Sequence, residues 1–400
     1  MAENQPKEYD AVLGGQVPSP VDGVVLGGIE GVKKRLANIS FEQRIAALED
    51  ALNYGEAGLE LLIQTLTDVS PEVQQTAENL LFQHRTKPKV KQALQKYNPW
   101  LLFECLQTIS GHTHDVNSVV ISPDGQTIFS CSVDNTIRLW GLSQRKEIFT
   151  LQGHSRGVNS IAIHPDGQIL ASGSYDETIK FWNVQTRQEL RTLTAHSGGV
   201  HAIAISPDGH LLGCSITNQR KILVCDLQTR QQLGTLKKPH HGAHSHCLAI
   251  TPNKQILVDA NSSNRIDIWN LETEELIRTL KAHSQSVKSV AISPDGETLV
   301  SGCSDNIIKV WVLRTGEEKF TINAHSGTIF CVAISLDGQN LIGSCGDGTI
   351  KVWDLQTGRG KAIFNGHTAG VRSVAISADG RTLISGSVDE TIKIWRMPQG

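Results

Sequence analysis

The sequence predicts a mainly β chain, a propeller of seven four-stranded antiparallel blades, preceded by a small helical segment. Three observations predict it. A histidine recurs at His112, His154, His196, His241, His283, His325 and His367, 42 residues apart except for one step of 45. An aspartate stands 22 residues after it at Asp134, Asp176, Asp305, Asp347 and Asp389, and a tryptophan 28 after it at Trp140, Trp182, Trp269, Trp311, Trp353 and Trp395. Between these anchors run short, alternating, β-branched segments punctuated by turns such as Ser122-Pro123-Asp124-Gly125 and His164-Pro165-Asp166-Gly167, the chemistry of tight hairpins. Self-similarity at this period belongs to repeat architectures, and short strands at hairpin spacing select a propeller.

The unit is clearest at 153–183, GHSRGVNSIAIHPDGQILASGSYDETIKFWN. It resembles the WD-repeat family, whose motif is a Gly-His followed by a Trp-Asp. Gly-His is literal at Gly111-His112, Gly153-His154 and Gly366-His367 and becomes Ala-His at His196, His283 and His325. Trp-Asp is literal only at Trp353-Asp354. With its helical N-terminus and regular repeats, the chain is similar to bacterial, particularly cyanobacterial-type, members.

In chain order, residues 1–27 are Gly- and Pro-containing without periodicity and read as a flexible tail. Residues 28–102 carry helical periodicity: Phe41, Ile45, Leu48 and Leu52 share one face, a second helix covers 56–67, and Ser70 caps a third that begins at Pro71. A short fourth helix, VKQALQKY, follows. The segment Asp68–Leu81 resembles the second helix of a HEAT or armadillo repeat, with Gln74 where that family has Arg. Residues 103–400 form the propeller domain. Within the WD-repeat resemblance, FECLQTIS at 103–110 looks like the fourth strand that precedes each Gly-His, while no such strand follows Trp395. It is therefore expected to complete the last blade and close the ring, removing an exposed sheet edge.

Each repeat reads as strand a (158–163 in the second), strand b (169–174), strand c (178–183) and strand d (189–194). The resemblance implies that the His bonds the Asp and that a strand-b hydroxyl such as Ser172 links to the Trp indole. A His, Asp and Ser together invite comparison with a catalytic triad, but a catalytic constellation occurs once whereas this one recurs. The set His112, Asp134, Trp140, His154, Asp176, Trp182, His283, Asp305, Trp311, His325, Asp347, Trp353, His367, Asp389 and Trp395 is read as structural. Two repeats depart: Asn218 and Cys225 stand for the Asp and Trp of the third, and Ser263 for the Asp of the fourth. Between them, His240, His241, His244 and His246 invite a metal reading, but His241 is the repeat histidine, and no metal site is assigned.

The chain is weakly acidic, net charge −3, with 10 basic against 13 acidic residues in 1–102 and 27 against 27 afterwards. That gives no basis for nucleic acid as a partner, and aromatics are scarce. No apolar stretch reaches membrane-spanning length, so a cytoplasmic, monomeric protein without membrane insertion is expected. Eight cysteines without C-x-x-C, most in predicted strands, read as reduced buried thiols. No catalytic residue, cofactor or phosphate-binding loop is assigned; a hydrolase acting in the central channel and an RNA-binding propeller are the competing readings. The resemblance implies a protein-protein interaction scaffold whose protein or peptide partners, unidentified from sequence, bind the face carrying the d–a and b–c loops. There the residues flanking the structural ones stand out, and Asn159, Tyr175, Lys288, Phe330 and Arg372 are the partner-binding candidates.

Overall fold

The computed structural model describes residues 28–194, 198–217, 221–239, 244–324 and 327–397; the N-terminal tail, His196, His241, His325 and Asn218 lie outside them. The chain divides into two compact units, the first ending at Phe103 and the second beginning at Glu104.

The first unit has α1 (Ile29–Leu36), α2 (Phe41–Ala51), α3 (Gly55–Thr65), α4 (Pro71–Phe82) and α5 (Pro88–Tyr97). Ser70 caps α4 as expected, its hydroxyl accepting from the Val73 N–H. Helix α1 escaped the sequence reading because only Ile29, Val32 and Leu36 mark its face. Phe41 does not join the buried face of α2; it is 43% exposed, whereas Ala47, Leu48 and Ala51 are fully buried. Phe41 is the first residue of α2, whereas the close packing lies at the helix's other end, where a Cβ on Gly58 of α3 would stand 1.7 Å from the Ala51 carbonyl oxygen. Arg44 forks onto both Asp68 carboxylate oxygens at 2.7 and 2.8 Å, and Asp68 also accepts from the Ser70 N–H, tying α2 to the entry of α4.

The second unit is a seven-bladed propeller in which every sheet has four antiparallel strands. Blade one has strands a (Val116–Ile121), b (Thr127–Ser132), c (Ile137–Gly141) and d (Lys146–Leu151). The a–b turn shows why Pro-Asp-Gly recurs. Ser122 Oγ donates to Asp124 at 2.5 Å and accepts from the Thr127 N–H, while Gly125 takes φ +69°. Blades two to six span 158–194, 200–237, 245–281, 287–323 and 329–364. In blade seven, Val371–Ile376, Thr382–Ser387 and Thr391–Arg396 are completed by Glu104–Ser110, paired antiparallel to Thr391–Arg396. The expected closure by the N-terminal strand is thus present.

Adjacent blades share each apolar core. Trp182 of blade two lies with Phe129, Leu139 and Leu151 of blade one, and Trp311 of blade five with Val258, Ile266 and Leu280 of blade four. At the seam, Trp140 and Val116 pack with Ile384, Ile392 and Ile394 of blade seven and with Ile109 of the closing strand. Around the axis the innermost strands are stitched by side chains to the next blade's backbone. Ser160, Ser289 and Ser373 accept from the N–H of Ile203, Val332 and Val119, and the Cys247 and Cys331 thiols donate to the carbonyls of Val290 and Val374.

Two β-bulges recur in every blade. One lies opposite the tryptophan position in strand d, leaving residues 106, 148, 190, 233, 277, 319 and 361 outside the ladder; the other lies at the second residue of strand a. A bulge bends its strand and re-aims one side chain. The outer set blunts each rim edge against pairing with another chain; the inner set builds the site below.

Because Ile109 is buried at the seam, Ile109→Ala is expected to lower the propeller's stability by about 2–4 kcal/mol. Urea unfolding of the full chain measures it, and a loss under about 0.5 kcal/mol would show that the closing strand is dispensable.

Candidate functional site

The repeated His, Asp and Trp residues form a buried hydrogen-bond chain. In blade one Trp140 Nε1–H donates to Ser130 Oγ at 2.8 Å, Ser130 lies 2.7 Å from His112 Nε2, and His112 Nδ1 lies 2.7 Å from Asp134, which also accepts from the Thr136 hydroxyl at 2.6 Å. With Asp as acceptor and Trp as donor at the two ends, the polarity is fixed: Ser O–H donates to Nε2 and Nδ1–H to the carboxylate. Blade two repeats the chain through Trp182, Ser172, His154 and Asp176, and blade seven through Trp395, Ser385, His367 and Asp389, each link 2.7–2.9 Å.

Burial holds His154 and His367 below the ordinary imidazole range against the pull of their aspartates. For Asp176 and Asp389 burial acts upward but is outweighed by the threonine, histidine and backbone donors, so both are held low. A neutral imidazole beside an ionised carboxylate is what the chain requires. The serine is spent between His and Trp and faces no cleft, so the arrangement holds a blade together.

The other blades vary it. In blade five Trp311, Ser301 and His283 keep the chain, but the His283–Asp305 link lengthens to 3.2 Å where Ile307 replaces the threonine. His283, Cys303 and Asp305 bring three ligand-type atoms within 4.8 Å. However, the Cys303 thiol donates to the Gln285 carbonyl at 3.2 Å and burial pushes it up to about 12, so this set is satisfied internally. In blade six Gly343 takes the serine position, and a Cβ there would meet the Trp353 ring at 2.9 Å; the indole has settled into the space. In blade three Cys214 and Cys225 replace the Ser and Trp, both fully buried. In blade four Asp259 replaces the serine, is fully buried 3.5 Å from Lys238, and is pushed up to about 6 by burial against that lysine. Trp269 Nε1 there finds no acceptor among the described residues.

The candidate recognition residues sit differently. Asn117, Asn159, His201, His246, Lys288, Phe330 and Arg372 are the inner bulge residues, each half-buried at the start of an innermost strand. They join around the channel mouth. Asn117 and Asn159 donate to the Val158 and Val200 carbonyls at 3.0 and 2.9 Å. His246 Nδ1 lies 3.3 Å from His201 Nε2, and Lys288 Nζ 3.3 Å from His246 Nε2. Arg372 stacks over Phe330 with 5.4 Å to the ring centre and meets Asp115 at 2.9 Å. Tyr175, 41% exposed, lies 6.2 Å from the His201 ring. Four of the five predicted residues, Asn159, Lys288, Phe330 and Arg372, are therefore members of one ring and Tyr175 flanks it.

Sequence reasoning passed over His201 and His246 as site residues, although both occupy the same repeat position. His246 was absorbed into the histidine tract; His244 of that tract is tied through its N–H to Ser262. Burial, with Lys288 nearby, pushes His201 down to about 4 and His246 down to about 3.

The family model described as WD domain, G-beta repeat matches residues 103–141, 145–183, 187–224, 274–312, 316–354 and 358–396, more than half of the chain. Among curated proteins the chain is similar to the Mut11 protein of Chlamydomonas reinhardtii, 46% identical over 43 residues, and to the Notchless protein homolog of Arabidopsis thaliana, 48% identical over 46 residues. The matches cover 11% and 12% of this chain and only 12% and 10% of those relatives.

Ser172→Ala is expected to cost about 2–4 kcal/mol, because it strands the His154 and Trp182 nitrogens in a buried site. Chemical denaturation checks it, and an unchanged midpoint would remove the chain's structural role. The histidines set a pH dependence. Below about 6.5 the unfolded chain takes up protons that His154, His201, His246, His283 and His367 refuse in the fold, so stability must fall as pH falls. Thermal melts at pH 7.5, 6.5 and 5.5 are expected to show decreasing midpoints (values in about this range follow from the imidazole reference); a flat profile would contradict the neutral-imidazole assignment.

Proposed function

The chain belongs to the WD-repeat family, and from that premise we propose that it is a non-catalytic interaction scaffold binding protein or peptide partners at the ring around its channel mouth. One observation carries the reading. The repeat keeps its histidine in every blade and its tryptophan in all but the third, yet its inner bulges hold Asn, Asn, His, His, Lys, Phe and Arg in turn. A bulge leaves its residue outside the ladder and re-aims the side chain, so variety concentrated there is variety presented to a partner. Tyr175, Phe330 and Arg372 are of the types that dominate binding energy, and Asn159 and Lys288 complete the set. The helical unit, with its resemblance to a HEAT repeat at Asp68–Leu81, is a second docking surface in this reading.

The test replaces Tyr175, Lys288, Phe330 and Arg372 together by Ala. The variant is expected to retain the melting midpoint within about 3 °C and to lose the partners that the unmodified chain recovers by affinity capture from its own cells. Recovery of the same partners by both proteins would move the binding surface elsewhere.

A further inference from the structure

Electrically the ring is lopsided. Its two permanent cations, Lys288 and Arg372, stand on blades five and seven with Phe330 between them, and His246 and His201 continue the arc through blades four and three. Three positions per blade border the mouth: the bulge residue, the residue two before it, and the residue before the b–c aspartate position. Among the described residues at these positions the only carboxylate is Asp115, already engaged by Arg372.

The arc also holds unused hydrogen-bonding capacity. Arg372 Nε is buried without a partner among the described residues, and so is Ser286 Oγ, two residues before Lys288. Lys288 Nζ has a neutral histidine nitrogen as its partner and no carboxylate among the described residues. Burial and the charge of Arg372 hold Lys288 below the usual lysine range, and His201 feels both cations. Two cations within electrostatic reach of each other repel, and an unfilled guanidinium donor costs free energy unless an acceptor arrives. An oxyanion seated between them relieves both, because the fork of Arg and the point charge of Lys suit a two- or three-oxygen group.

We propose that the arc formed by His201, His246, Lys288 and Arg372 is a receptor for an oxyanion carried on a peptide side chain, with Phe330 and Tyr175 packing its apolar flanks. This deepens the interaction reading above and rests on it. Lys288 and Arg372 supply the charge. His246, accepting from Lys288 and donating to His201, aims the ammonium group, and Asp115 engages the guanidinium only through Nη2.

Four degenerate decapeptide libraries test it, identical except for a fixed central Ala, Lys, Glu or phosphoserine, each measured for retention on the full chain. The Glu library, the phosphoserine library or both are expected to be retained at least about tenfold over Ala and Lys, with retention falling as salt is raised. The two anionic arms separate a carboxylate ligand from a phosphate one. In Lys288→Glu the preference should pass to the Lys library. Equal or better retention of the Ala or Lys library by the unmodified chain overturns the oxyanion assignment; if the fourfold Ala variant then loses all libraries, the ring remains the binding face. If the unmodified chain retains no library above that variant, the ring reading fails together with the oxyanion. Should a variant fail to fold, the selectivity of the unmodified chain decides alone.

Discussion

A ring of sheets closes only if each blade fills the core it shares with its neighbour, and here six blades do so with an indole at one repeat position, Cys225 standing in for it in blade three. Burying tryptophan at a junction supplies apolar area but strands an N–H, which costs about 1–3 kcal/mol if left unmet. In blades one, two, five and seven serine, histidine and aspartate meet it in sequence, each satisfying the group before it, until the charge reaches the partly wetted loop. The chain links strands b and c to the loop that joins one blade to the next, so one network fixes the indole, the sheet and the connection between blades. The terminal strand answers the same constraint at the seam, where Ile109 completes a core that blades one and seven cannot fill alone.

Rigidity of this kind leaves little freedom for recognition, and the bulges supply it. In the ladder of strand a, the residue before the bulge and those after it are committed to pairing and packing. The bulged residue alone escapes both faces and turns to the axis. The serine or cysteine that follows it directly stitches the blade to its neighbour in five of the blades. Presentation and stitching are thus neighbours in sequence yet independent in space, so a change at Lys288 leaves Ser289 in place.

Much of this was legible in the sequence. The histidine period gave blade number and register, strands 158–163, 169–174, 178–183 and 189–194 fall where hairpin spacing put them, and the lack of a strand after Trp395 pointed to the closing one. The bulges were not legible, because a bulge adds a residue without breaking apolar alternation visibly when every repeat carries it. Gly343 was likewise missed: an anchor-based reading of blade six sees His325, Asp347 and Trp353 and passes over the absent hydroxyl. Phe41 failed for a different reason. Periodicity selects a face but not how far along the helix that face is covered: Phe41 opens α2, and the fully buried residues Ala47, Leu48 and Ala51 lie in its second half.

The departures from uniformity gather where the ring is asymmetric. Blade three exchanges its serine and tryptophan for Cys214 and Cys225, and blade four buries Asp259 beside Lys238 where blade five has the neutral Ser301 hydroxyl. These blades contribute His201 and His246, next to the one that contributes Lys288. Seven identical blades would present seven identical residues to the axis, a symmetric mouth with no preferred orientation for a peptide. Asymmetry needs blades that differ, and a blade freed from the shared hydrogen-bond chain needs its own internal solution: a pair of small thiols in one case, a buried ion pair in the other. In blade four that solution leaves the Trp269 N–H without an acceptor among the described residues, so the cost of departing from the repeat is borne inside the blade, and the mouth gains a residue that the repeat alone would not have placed there.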